Sequence, residues 1–176
     1  MGGSKGAGAI SGGRRARKFL SRLKSRVSFT QIMNDPSWIQ YIGDRGLRTL
    51  DDTRKQILEG PIAMYDRLGY GFYIMELKDG GIPIGICGLV KRDFLEDPDV
   101  GYALLPAFWG KGYAYEAASA VMDYAKSVLG LNRIAAITSE DNHASAKLLE
   151  KLGLHYERMI RYANTDEEVR LYTNYL

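Results

Sequence analysis

At 176 residues, 45% hydrophobic and 26% charged, the chain has the size and composition of one globular domain with a single core. No apolar run approaches the ~20 residues of a bilayer-spanning helix. One cysteine, Cys87, excludes an internal disulfide, and no Cys/His cluster has zinc-ligand spacing, so no metal is expected. The net charge of +3 is unevenly placed: eight basic residues and no acid fall in 1–34, leaving 16 basic against 21 acidic residues beyond. A nucleic-acid partner would have to be held by this basic arm alone, because the body is mildly acidic.

Residues 1–15 form a Gly-rich basic tail that cannot bury a core, and disorder is expected there. In 16–33, Phe19, Leu20, Leu23 and Val27 recur at helical spacing among basic residues. The segment reads as an amphipathic docking helix, a mitochondrial-type presequence or a plain first helix. Otherwise the lone thiol fits a reducing compartment, the cytoplasm.

The domain proper spans 34–176. "NDPSWIQYIGDRGLRT" predicts a Pro-started short helix and a Gly-broken loop. "LDDTRKQILEGPIAMYDRLG" predicts a helix with Asp51 and Asp52 at its positive end, a kink near Gly60 and Pro61, and a stop at Gly69. Composition then turns β-rich. "YGFYIMEL", "IPIGICGLV" and "DVGYALLP" predict three strands of an antiparallel meander, with Pro106 ending the third.

A helix then runs from "FWGKGYAYEAA" to about Leu129, with Ala114, Ala117, Ala118, Val121, Met122 and Ala125 as its apolar stripe. "NRIAAIT" predicts a strand parallel to the one before that helix. "DNHASAKLLEKLG" predicts a helix capped by Asp141 or Asn142, and "LHYERMIRY" and "VRLYTNYL" predict closing strands. The fold class is mixed α/β, with helices on the sheet.

Gly110 and Gly112 let the chain turn tightly just where a new helix has unpaired amides and a partial positive charge. That is an anion cradle suited to a phosphate or pyrophosphate; a plain strand-to-helix turn explains the glycines equally well. Neither standard nucleotide loop matches. Lys111 is followed by Gly112 rather than Ser or Thr, and Tyr115 stands where the dinucleotide fingerprint needs a small residue.

Taken together, "GYALLP", "WGKGYAYEA", the N-x-A-S helix start at Asn142–Ser145 and "LEKLGL" resemble the GNAT acetyltransferases. Within these the chain is most similar to the RimJ/RimL-like, ribosomal-protein-alanine acetyltransferase branch, over about 34–176. The resemblance implies a mostly antiparallel GNAT sheet with helices on both faces and a splayed central strand pair. It implies acetyl-CoA as co-substrate and a primary amine as acceptor: a protein N-terminus, a lysine or a small amine.

Carried over residue by residue, backbone amides of Phe108, Trp109, Gly110, Lys111, Gly112 and Tyr113 would hold the CoA pyrophosphate. Leu104 and Leu105, in the stretch from Gly101, would pair with the pantetheine arm, and Asn142 and Ser145 would hydrogen-bond nearby. An N–H around Ala103 or Leu104 would receive the oxyanion, and Ser145 would protonate the thiolate. Asp99 is the candidate general base, with Glu116 and Glu157 as rivals. Trp38, Tyr41, Phe72, Tyr73 and Tyr102 would wall the acceptor pocket.

Three departures stand out. Ala107 replaces the frequent Gln or Arg of the loop, Leu149 replaces a frequent acid Tyr, and the family's first strand is unrecognisable. These favour an alternative, a catalytically idle acyl-CoA-binding or protein-interaction module. An uncovered sheet edge would also allow a homodimer.

Overall fold

The computed structural model describes the backbone of residues 16–18 and 24–176, with side chains from Phe29 onward. The expectations for the tail 1–15, for the side chains of Phe19, Leu20, Leu23 and Val27, and for the nucleic-acid or targeting role of the arm lie outside the described residues. Within 16–33 the described residues form a strand, β1 (Ala16–Lys18), and a helix, α1 (Lys24–Met33), rather than helix alone. β1 pairs antiparallel with the edge of β2 (Phe72–Leu77), so the basic segment itself covers the edge left by the missing first strand. Three residues held by backbone pairing carry no period-two signal, which is why the sequence hides them.

The front of the domain is helical. Asp35 caps α2 (Pro36–Tyr41) by accepting from the Ser37 amide at 2.9 Å. Thr49 and Asp52 form a reciprocal capping box that opens α3 (Leu50–Ile57). The kink expected near Gly60 and Pro61 is one π-helical turn, Leu58–Ile62, leading into α4 (Ala63–Leu68). Proline there has no N–H for the regular ladder, and widening the turn accommodates its ring. Thr30 and Thr53 hydroxyls, 2.7 Å apart, tie α1 to α3.

The sheet has seven strands in the order β1-β2-β3-β4-β5-β7-β6. β3 (Pro83–Val90) lies between β2 and β4 (Asp99–Leu104), all antiparallel. α5 (Tyr113–Ser127) crosses over to β5 (Arg133–Ser139). α6 (His143–Lys151), β6 (His155–Arg161) and β7 (Glu168–Tyr175) complete the chain, with β7 inserted between β5 and β6.

Alternation along the strands divides the core into two layers. Met75, Cys87, Val100 and Ile134 pack with the Ala117–Val121–Ala125 stripe of α5 and with Leu149 of α6. Ile74 and Ile86 pack on the other face with Phe29, Ile32 and Met33 of α1 and Trp38 of α2. Helices therefore cover both faces, as the GNAT resemblance implies. No described helix is long and apolar enough to cross a membrane.

β4 and β5 are parallel neighbours, as expected, yet they meet at one register pair only, Asp99↔Ala135. Beyond it the strands part, and the middle of the sheet is open.

Candidate active site

The opening between β4 and β5 belongs to a cavity of about 690 Å³ that reaches both faces of the sheet. On the α1–α2 side it is lined by Phe29, Ile32, Met33, Trp38 and Phe72, and on the other by Tyr113, Asn142, Ser145 and Leu149. The backbone of β4 runs between.

The Leu105 N–H donates to the Ile84 carbonyl at 2.9 Å, so it faces β3. Backbone groups alternate in direction along a strand, so those of Ala103 also face β3 while those of Tyr102 and Leu104 face the gap. Of the two positions expected to supply an oxyanion donor, Leu104 is the one turned the right way. Its carbonyl already accepts a hydrogen bond from the Trp109 indole Nε1 at 2.7 Å. Leu105 does not line the cavity: its amide is engaged and its side chain packs with the α1–α2 layer. The next residue, Pro106, begins a 3-10 turn, Pro106–Phe108, that carries the chain away from the gap.

That turn leads into the glycine loop. Gly110 (φ 70°) and Gly112 (φ 81°) both take the left-handed conformation, and Gly112 is the residue just before α5. A Cβ at Gly110 would touch nothing within 4 Å, so the backbone angle, not crowding, explains this glycine. α5 begins at the cavity mouth, which Phe108, Trp109, Gly110, Gly112 and Tyr113 line. Lys111 does not line it. Its Nζ folds back to the Ala107 carbonyl at 2.8 Å and lies over the Phe108 ring.

Asn142 is the cap of α6, accepting from the Ser145 amide at 3.0 Å. Asn142 lines the cavity, with the Oδ1 side of its amide committed to the helix. Ser145 Oγ lies 3.0 Å from the Tyr102 hydroxyl, whose proton burial holds well above the usual phenol range. Tyr102, read from sequence as an acceptor-pocket wall, instead stands on the α6 side beside the serine.

Asp99 is the one carboxylate among the described residues that line the cavity. It is 1% exposed and pairs with the Arg92 Nε at 2.5 Å. Burial pushes its pKa above the ordinary carboxylate value, against the pull of the Arg92 guanidinium and the Ile137 amide. Arg92 in turn lies against the Phe94 and Tyr162 rings and close to the Tyr162 hydroxyl. Sequence reading missed Arg92, which sits in the apparent turn "KRDFLEDP"; no local pattern tells a buried arginine from a surface one.

The rival carboxylates are elsewhere. Glu157 accepts from Arg133 at 2.7 Å and from Thr173 at 2.9 Å, and neither it nor Glu116 lines the cavity. His143 and His155 are exposed, and Cys87 is fully buried. Trp38, Tyr41 and Phe72 do line the acceptor side, whereas Tyr73 packs edge-on against Tyr65 and stays out of it. Two buried polar atoms of lining residues, Trp38 Nε1 and Ser139 Oγ, have no hydrogen-bond partner.

A family description matching residues 19–155 is that of an acetyltransferase (GNAT) domain. The chain belongs to the GNAT acetyltransferase family. By class this GNAT protein is an acetyl-CoA-dependent N-acetyltransferase. An uncharacterized Bacillus subtilis protein, YkkB, is 33% identical over 140 residues, 77% of this chain and 78% of its own. The probable N-acetyltransferase YjcK of the same organism is 36% identical over 115 residues, covering 64% of this chain and 63% of its own.

In fold the GNAT chain is similar to RimL, a ribosomal L7/L12 alpha-N-protein acetyltransferase solved with coenzyme A. The TM-score is 0.79 at 20% identity, over 96% of this chain and 98% of that one.

Proposed function

We propose that the chain transfers the acetyl group of acetyl-CoA to a primary amine by direct attack, with both substrates bound at once. One observation carries this reading: the gap-facing edge of β4 is followed, after one 3-10 turn, by a helix start preceded by two glycines of positive φ. The residues fit the co-substrate. An extended arm with two amides needs regularly spaced backbone partners once desolvated, and Tyr102 and Leu104 offer them. A pyrophosphate needs converging N–H groups, and the Gly110–Tyr113 turn offers those without help from Lys111.

Bound acetyl-CoA supplies an activated acyl carbon and a thiolate leaving group. The chain's own residues supply the rest. The N–H of Leu104, or of Tyr102 beside it, faces the gap and stabilises the acyl oxygen as it gains charge. Asp99 removes the proton from the acceptor ammonium through a bridging water, since its carboxylate is buried at the foot of the opening. Arg92, which also lines the cavity, holds that carboxylate in place. Ser145, backed by the Tyr102 hydroxyl, gives a proton to the departing sulfur. The α1–α2 face receives the amine and excludes bulk water.

Acetyl-CoA is expected to raise the Tm of the chain, and Gly110→Asp or Gly112→Asp to abolish that rise. Each aspartate puts a negative charge in the cradle and a side chain on a left-handed backbone. An undiminished rise in both variants would show that the pyrophosphate is held elsewhere.

A further inference from the structure

The acceptor side of the cavity has an unusual charge inventory. Its walls are apolar and aromatic, from Phe29, Ile32, Met33, Trp38, Phe72 and Ile86, all but Phe72 buried. Its neutral polar groups are Ser37, Gln56, the Tyr41 hydroxyl and the Trp38 indole N–H. The single lining acid, Asp99, is already paired with Arg92. At the rim stand Tyr41 and Ile42, more than a third exposed, and beside them Arg45.

The turn that carries Arg45 is held in place, yet no acid among the described residues pairs with its guanidinium. Its turn is pinned on one side by Asp44, which accepts the Gly46 amide at 2.8 Å and pairs with Arg48. On the other side Leu47 is buried, and its carbonyl accepts from Asn34 Nδ2 at 2.8 Å. Asp44, the nearest acid in sequence, is therefore committed to Arg48. Among the described residues Arg45 makes no ion pair of its own.

From this we infer that the acceptor is a monoamine with an apolar body and an anionic group at the end remote from the amine, recognised by Arg45. The inference rests on the acetyltransferase reading above and names its substrate class. The amine must reach the β4 gap beside Asp99. The apolar body then fills the aromatic section, and the far end emerges at the rim, where a free guanidinium meets it. A polyamine or a lysine-rich peptide would place further ammonium groups against apolar walls and Arg45, with no free carboxylate to pair them. The anionic end can belong to a free small acid or to an acidic residue near a peptide N-terminus; the chemistry at Arg45 is the same.

The test compares matched amines with acetyl-CoA, read as released thiol. The small-molecule arm is 4-(aminomethyl)benzoate, its carboxamide, 4-methylbenzylamine and spermidine. The peptide arm is the amidated tripeptides Ala-Phe-Glu and Ala-Phe-Gln. We expect the acid to exceed its neutral partner by about tenfold or more in kcat/KM in at least one arm, which also identifies the source, with spermidine poorest. Arg45→Glu should erase that preference mainly through a higher KM, and Arg45→Gln should weaken it.

Equal turnover of acid and neutral partner in both arms, a preference for spermidine, or a preference untouched by Arg45→Glu would overturn the assignment. So would no turnover of any amine while acetyl-CoA still raises Tm. Absence of that rise in the wild-type chain would instead overturn the acetyl-CoA reading beneath it.

Discussion

The Tyr102 hydroxyl lies 3.0 Å from Ser145 Oγ, linking β4 to α6 across the side of the sheet that α5 also covers. Tyr102 also reaches the Ser145 carbonyl, at 3.3 Å, and burial keeps its phenol protonated far above neutral pH. The serine therefore has a neutral, proton-bearing neighbour that can restore a proton it gives away. Ser145→Ala should lower kcat about a hundredfold, the low end of acid catalysis, with KM for acetyl-CoA changing less. Tyr102→Phe should lower it by a smaller factor, and the double variant should be no worse than Ser145→Ala alone. Steady-state kinetics of the three variants read this directly; additive losses would separate the two hydroxyls.

As the proposed base, Asp99 should set the acidic side of the pH profile. A base works only when ionised, and burial raises this carboxyl above its ordinary value. Activity should therefore fall as pH drops through a midpoint above the ordinary carboxylate range, rather than persisting to about pH 4. Asp99→Asn should lose about a hundredfold or more in kcat and retain only the limb of the acceptor amine itself. An unchanged profile in Asp99→Asn would make the Arg92 pair a structural tie alone.

Trp109 reports on occupation of the gap. Its indole N–H is bonded to the Leu104 carbonyl, and the residue is 50% exposed, whereas the other tryptophan, Trp38, is 6% exposed. An amide of the pantetheine arm pairing with that carbonyl would share it with the indole or displace it, and either changes the indole's surroundings. Acetyl-CoA should shift intrinsic fluorescence in the wild-type chain, and Trp109→Phe should remove most of the shift. A full response in Trp109→Phe would mean that the arm leaves Leu104 untouched.

Two glycines should differ sharply in how they tolerate alanine. A Cβ at Gly88 of β3 would stand 2.1 Å from the Gly71 carbonyl oxygen and 2.7 Å from the Phe72 Cα, both backbone atoms. Gly88→Ala should cost about 3 kcal/mol or more through forced strand displacement. Gly110→Ala meets no neighbour and should cost only the left-handed backbone term, about 1–2 kcal/mol. Urea denaturation of both variants orders the two effects; equal losses would contradict the crowding at β3.

Much of this arrangement is legible in the chain because local chemistry agrees with the fold. The Gly110–Gly112 loop, the alanine stripe of α5 and the Asn142 cap all appear where pattern and capping place them. What the sequence conceals is long-range. Leu105 and Lys111 lie among residues that do line the cavity, but strand alternation turns the first toward β3 and a loop carbonyl holds the second. Arg92 and Arg45 look like ordinary loop cations; only tertiary packing distinguishes the one paired with Asp99 from the one left open at the rim. β1 is invisible for a similar reason, since its stability comes from the edge of β2 rather than from its own residues.

On the proposed mechanism, an amine takes its acetyl group in the opening between β4 and β5. Mass spectrometry of candidate amines incubated with the chain and isotope-labelled acetyl-CoA tests it most directly. One labelled acetyl group is expected on the amine, formed by the wild-type chain and lost in Gly112→Asp. Labelled product formed equally by Gly112→Asp, or acetyl-CoA bound with no amine ever labelled, would contradict it.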